Sequence, residues 1–237
     1  MGPGPSRAPT SPTRQALRSP RAAAIAGIVF AVLFGTSMVL ARTALPESLE
    51  AGASLAAFHA NSRIASVALA LVPFAGIAFL WFMGVVRDRL GAREDQFFST
   101  VFFGSGLLFL AMIFVAAGVA GGILLNLDLD SARLIQSGAY SFGRAVMYVV
   151  MNVYAIRMAG VFMFSLGTLW MRTRVMPRAA VLITYGLALI VLVSVSFSWW
   201  LTLVFPAWVL GISIYILIET SRGKGIEADE VLGGLSE

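Results

Sequence analysis

Between Arg178 and Glu219, forty consecutive residues, Ala179 to Ile218, carry no charge. As one helix this run would be about 60 Å long, twice the ~30 Å hydrocarbon core of a bilayer. It predicts a hairpin of two membrane spans, 179–197 and 200–218, turning near Phe197, Ser198, Trp199 and Trp200, where paired indoles suit the headgroup region. Four further apolar runs precede it, at 22–41, 64–86, 97–125 and 143–171. The first is too long for the apolar core of a signal peptide, about 7 to 15 residues, and reads as an uncleaved span. A chain of 237 residues that is 59% hydrophobic and 12% charged, with mean hydropathy +0.87, has the bilayer as its solvent. The expected fold class is all-α, a polytopic membrane helical bundle with six transmembrane helices. Pro73 and Pro206 fall inside spans, where each removes one backbone bond and should bend its helix.

The polar segments fix the order of these spans across the membrane. Residues 1–21, with five prolines and four arginines, read as a disordered basic tail. Residues 42–62 read as an external loop leading into the second helix. RDRLGARED, 87–95, and MRTRVMPR, 171–178, are short basic turns. A second external loop is expected around Asn126, Asp128, Asp130 and Arg133, and the tail 219–237 is expected to be mostly disordered. Twelve basic residues, in both tails and in the two basic turns, fall on one side, and four, Arg42, Arg63, Arg133 and Arg144, on the other. The positive-inside rule then places both termini in the cytoplasm. The net charge of +5 and pI near 10.2 follow from this topology and imply no nucleic-acid partner. Arginine supplies sixteen of the seventeen basic residues, a coding habit of GC-rich bacteria, so the expected location is a bacterial plasma membrane. Two small-residue stripes, Ala23/Gly27/Ala31/Gly35 and Gly118/Gly122, let helices approach closely and could carry a homodimer.

Apart from Arg144 at the external edge of 143–171, one charge lies within a span. Arg157 is at the centre of 143–171, where insertion scales put the cost of a charge at roughly 2.5–3.5 kcal/mol. Its helical neighbours at three and four positions are Val153, Tyr154, Gly160 and Val161, so Tyr154 is the polar partner on its own face. No span contains Asp or Glu. Arg157 therefore either pins helices together through backbone carbonyls and hydroxyls or faces a cavity holding an anionic or amphipathic ligand. Asn152 lies with Tyr148 on a different face and could bridge helices or join a ligand site. Met147, Met151, Met158 and Met163 give the same span a soft surface, either filling or adaptable to apolar ligands. His59 and Arg63, spaced i, i+4, form a candidate pair at the external interface, either hydrated or contacting a proton or anion.

Residue inventory excludes much chemistry. Without cysteine there is no disulfide, thiolate metal site or iron–sulfur cluster, and a lone histidine rules out sites built on several imidazoles. The one lysine, Lys224, is outside the spans, which rules out a retinal Schiff base. Glu47, Glu50, Asp128, Asp130 and His59 lack metal-binding spacing. The sequence thus names no catalytic residue, no metal and no cofactor.

Gly84, Asp88, Arg89, Gly91 and Arg93 spell G-x-x-x-D-R-x-G-x-R between the second and third spans, which resembles the loop signature of major facilitator transporters. That resemblance implies a half-size transporter acting as a dimer, since only half the usual spans are present. FLWFMGVVRDRLG at 79–91, RMAGVFMFSLGTL at 157–169 and FPAWVLGISIYILIE at 205–219 resemble small six-span bacterial membrane proteins, many of them actinobacterial, grouped as families of unknown function. The reading is a multi-pass membrane protein binding a small anionic or amphipathic molecule between its helices. The alternatives are the dimeric half-transporter and a structural subunit of a membrane complex.

Overall fold

The computed structural model describes residues 20–44, 53–90, 96–174, 176–193 and 199–233. These form six helices and, among the described residues, no strand. They are α1 (Pro20–Ala44), α2 (Ala53–Leu90), α3 (Gln96–Gln136), α4 (Ala139–Thr173), α5 (Arg178–Val193) and α6 (Trp199–Gly233). Five are long and apolar enough to cross a membrane, through Arg21–Ala44, Asn61–Arg87, Phe97–Leu127, Ala139–Thr173 and Leu201–Ser221. The chain is an all-helical membrane bundle. Its outer surface is apolar, with Phe74, Leu182, Ile183 and Leu189 all at least 60% exposed, because the outward faces meet acyl chains instead of water.

Two expectations change, and a third lies partly outside the described residues. The sixth apolar helix, α5, is described over Arg178–Val193 and α6 starts at Trp199, so Phe197 and Ser198 of the expected turn lie outside the described residues while Trp199 and Trp200 are already helical. The loop expected around Asn126 and Arg133 is helical, since α3 continues to Gln136. The apolar pattern persists there: Ile123, Leu124 and Leu127 are buried against Ala44, Ala65 and Tyr140, with Leu134 alongside. Only Ser137 and Gly138 turn the chain, Gly138 at φ 70, a left-handed conformation that suits glycine. The tail expected to be disordered continues α6 as far as Gly233, since no proline after Pro206 interrupts its hydrogen-bond ladder. The basic tail before Pro20 lies outside the described residues.

Lipid tails are as apolar as leucine, so helices must associate through shape and specific polar contacts. The bundle does this around Phe79 of α2, which is fully buried. Its ring centroid lies 4.8 Å from Phe30 of α1, 5.4 Å from Phe109 of α3, 5.4 Å from Phe162 of α4 and 5.7 Å from Phe205 of α6. One aromatic hub thus ties five helices. Hydrogen bonds add to it: Ser37 Oγ donates to Ala68 O at 2.7 Å, Trp208 Nε1 to Thr184 Oγ1 at 3.0 Å, and the Thr168 and Tyr185 hydroxyls meet at 2.9 Å. The stripe on α1 is used within the chain, with Ala23, Gly27 and Ala31 buried and Gly27 against Ser213 Oγ of α6. Arg87 stacks over Phe103 and Arg172 over Phe98, joining the ends of α2, α3 and α4 into one basic end of the bundle.

Candidate functional site

The span that carries Arg157 is not a uniform α-helix. α4 is α-helical over Ala139–Val149 and Ile156–Thr173, but Val150–Ala155 forms a π turn in which Ile156 N–H donates to Met151 O. An i→i+5 turn widens the helix and re-aims the side chains around it, and such turns concentrate at functional sites. Asn152 and Tyr154 lie inside this turn and Arg157 just after it.

The turn separates these three residues. Tyr154 points outward and is 55% exposed. Arg157 is half-buried, and its Nη1 donates at 2.9 Å to Val153 O, one turn back within the same helix. Arg157 thereby meets part of its need for a partner from its own backbone, as a charge in an apolar span requires. Asn152 Nδ2 donates to Tyr148 O at 3.0 Å, and Asn152 also lines a cavity.

That cavity, about 240 Å³, lies between α1, α2, α3 and α4, with Thr202 of α6 completing its wall. Its polar lining is Arg42 and Ser37 from α1, Arg144, Tyr148 and Asn152 from α4, and Thr202. The remainder is apolar, including Val72, Ile113, Leu124, Met147 and Met151. Arg42 is exposed and Arg144 half-buried, which puts two guanidiniums where the cavity meets the end of the bundle opposite the basic turns. Among the described residues lining it none is acidic. Tyr140, nearly buried, hydrogen-bonds the Arg144 side chain and so fixes its direction. Arg157 and Tyr154 are not among the residues lining this cavity, whereas Asn152 is.

A cavity of this kind offers two cations near its mouth, and Met147 and Met151 interleaved with the neutral hydrogen-bonding groups Tyr148 and Asn152 along α4. It can hold a small anion with an apolar tail. Nothing in it is a nucleophile paired with a base, and among the described residues no three His, Asp or Glu are grouped to hold a metal. The sequence did carry a trace of it. Tyr140, Arg144, Tyr148 and Asn152 recur every four residues along α4, a polar stripe on one helix face. Arg42, supplied by another helix, has no such signature.

The other candidates lie elsewhere. His59 and Arg63 are both on α2; Arg63 is exposed, and the His59 side chain lies outside the described residues. α2 extends to Leu90 and includes Gly84, Asp88 and Arg89 of the loop motif, while Gly91 and Arg93 lie outside the described residues. Gly84 is exposed, with nothing within 4 Å of where a Cβ would stand. No protein-family model, no curated protein and no solved structure matches this chain.

Proposed function

We propose that this membrane protein binds a small anionic amphipathic molecule in the cavity between α1, α2, α3 and α4, its charged group at Arg42 and Arg144 and its apolar part against Met147 and Met151. The observation that carries this reading is the pairing of two guanidiniums with an apolar cavity that has no acid among its described lining residues. Cations at the membrane boundary attract anions, and the low dielectric beneath them strengthens that attraction. The positive-inside count puts the basic turns in the cytoplasm of a bacterial cell, so the cavity opens toward the external side. Binding is then by entry from outside or from the outer leaflet.

A single-chain carboxylate such as octanoate tests this. A dry cavity of about 150 Å³ accommodates benzene, so about ten heavy atoms, the size of octanoate, match the space here. The purified full chain should bind octanoate saturably, and Arg144→Gln should weaken binding at least tenfold while Arg63→Gln, at an exposed position outside the cavity lining, stays within twofold. No saturable binding, or binding indifferent to Arg144, would refute the reading.

A second reading, the dimeric half-size transporter, draws support from α3. Gly118 and Gly122 are exposed, with nothing of the chain within 4 Å of where a Cβ would stand, which leaves a close-approach face for a second copy. Solute flux into vesicles separates the two readings, since binding alone moves nothing across the bilayer.

A further inference from the structure

The basic end of the bundle holds a second, different feature. Of the arginines there, Arg87 and Arg172 lie over aromatic rings. Arg174 and Arg178 are exposed, and among the described residues neither has an ion-pair or hydrogen-bond partner. They flank the turn from α4 to α5, where Arg174 adopts φ 54, the left-handed conformation that ends α4. Both line one groove, walled by Met171, Met176, Val181 and Leu182. Met171 and Leu182 are 55% and 67% exposed, so a strip of apolar surface runs directly from the two cations down the outward face of α5.

Arg174 ends α4 and Arg178 opens α5, and the exposed apolar faces beside them meet acyl chains, so the pair stands where headgroups join the hydrocarbon. We propose that this groove is a binding site for one anionic phospholipid of the cytoplasmic leaflet. The phosphate sits between Arg174 and Arg178, and an acyl chain lies along Met171 and Leu182. Charge complementarity selects the lipid: each arginine attracts an anionic headgroup, and a zwitterionic headgroup cancels most of that attraction. The site is separate from the cavity at the opposite end and does not depend on what that cavity holds.

The test is native mass spectrometry of the full chain, released from detergent in the presence of equal amounts of phosphatidylglycerol and phosphatidylcholine with identical acyl chains. The wild-type chain should retain phosphatidylglycerol about tenfold over phosphatidylcholine. Arg174→Gln with Arg178→Gln should bring the ratio within about twofold of unity, while Arg63→Gln should leave it unchanged. A wild-type ratio near unity would overturn the proposal without any variant. So would a double variant, eluting as a monodisperse species like the wild type, that keeps the tenfold preference.

Discussion

Ala117→Phe places a benzene-sized ring into the cavity from α3, and its effect can be worked from the cavity's dimensions. Ala117 lines the space and is half-buried, packed on one side against the core, so a longer side chain there extends into the cavity. The ring takes up about 150 of the 240 Å³, the volume that about six ligand atoms would otherwise occupy. At ~0.3 kcal/mol per heavy atom, excluding six atoms costs the ligand ~2 kcal/mol, or about thirtyfold in affinity. Titration of octanoate into the purified chain, by calorimetry or by displacement of a fluorescent single-chain carboxylate, measures this directly. Protein stability serves as the control. A ring entering free space forces no neighbour aside, so the unfolding midpoint in detergent should not fall, whereas overpacking a filled core would cost ~1–3 kcal/mol. Wild-type affinity in a folded Ala117→Phe protein would refute the argument, because the ligand would then be bound somewhere else.

Two further outcomes bear on the helices that frame the site. Arg157→Leu removes the side chain bonded to Val153 O but no part of the cavity lining, so octanoate affinity should stay within twofold; a tenfold loss would return Arg157 to the site. Gly27→Ala drives a Cβ into Ser213 Oγ and to within 3.0 Å of the Phe82 ring, and should destabilise the bundle by ~1–3 kcal/mol. The Ser213 hydroxyl is buried without a hydrogen-bond partner among the described residues, so Ser213→Ala should be neutral or stabilising and should offset part of the Gly27→Ala cost. Strict additivity of the two changes in detergent unfolding would refute that packing.

The sequence by itself determined what depends on local transfer between water and lipid. Charge-free runs of bilayer length, Pro73 and Pro206 inside helices, and basic turns gathered at one end are all legible because each follows from nearby residues alone. Where local polarity misled, packing had prevailed: Asn126 and Arg133 suggested a loop, yet Leu127 and Leu134 find partners on α1, α2 and α4 and keep α3 helical.

The candidate site lay mostly beyond the sequence. Asn152 was identified, and the four-residue stripe through Arg144 could have been, because both sit on one helix. Tyr154 and Arg157 were placed on one face on the assumption of 3.6 residues per turn, which the π turn at Val150–Ala155 breaks. Arg42 joins the cavity only because α1 packs beside α2 in the assembled bundle, bringing a residue more than a hundred positions away next to Arg144. In a bilayer that lateral arrangement comes from shape: the rings around Phe79, and small residues that let α1 reach α6. Insertion into lipid is decided span by span, but a cavity belongs to several spans at once, and only their packing sets which side chains share it.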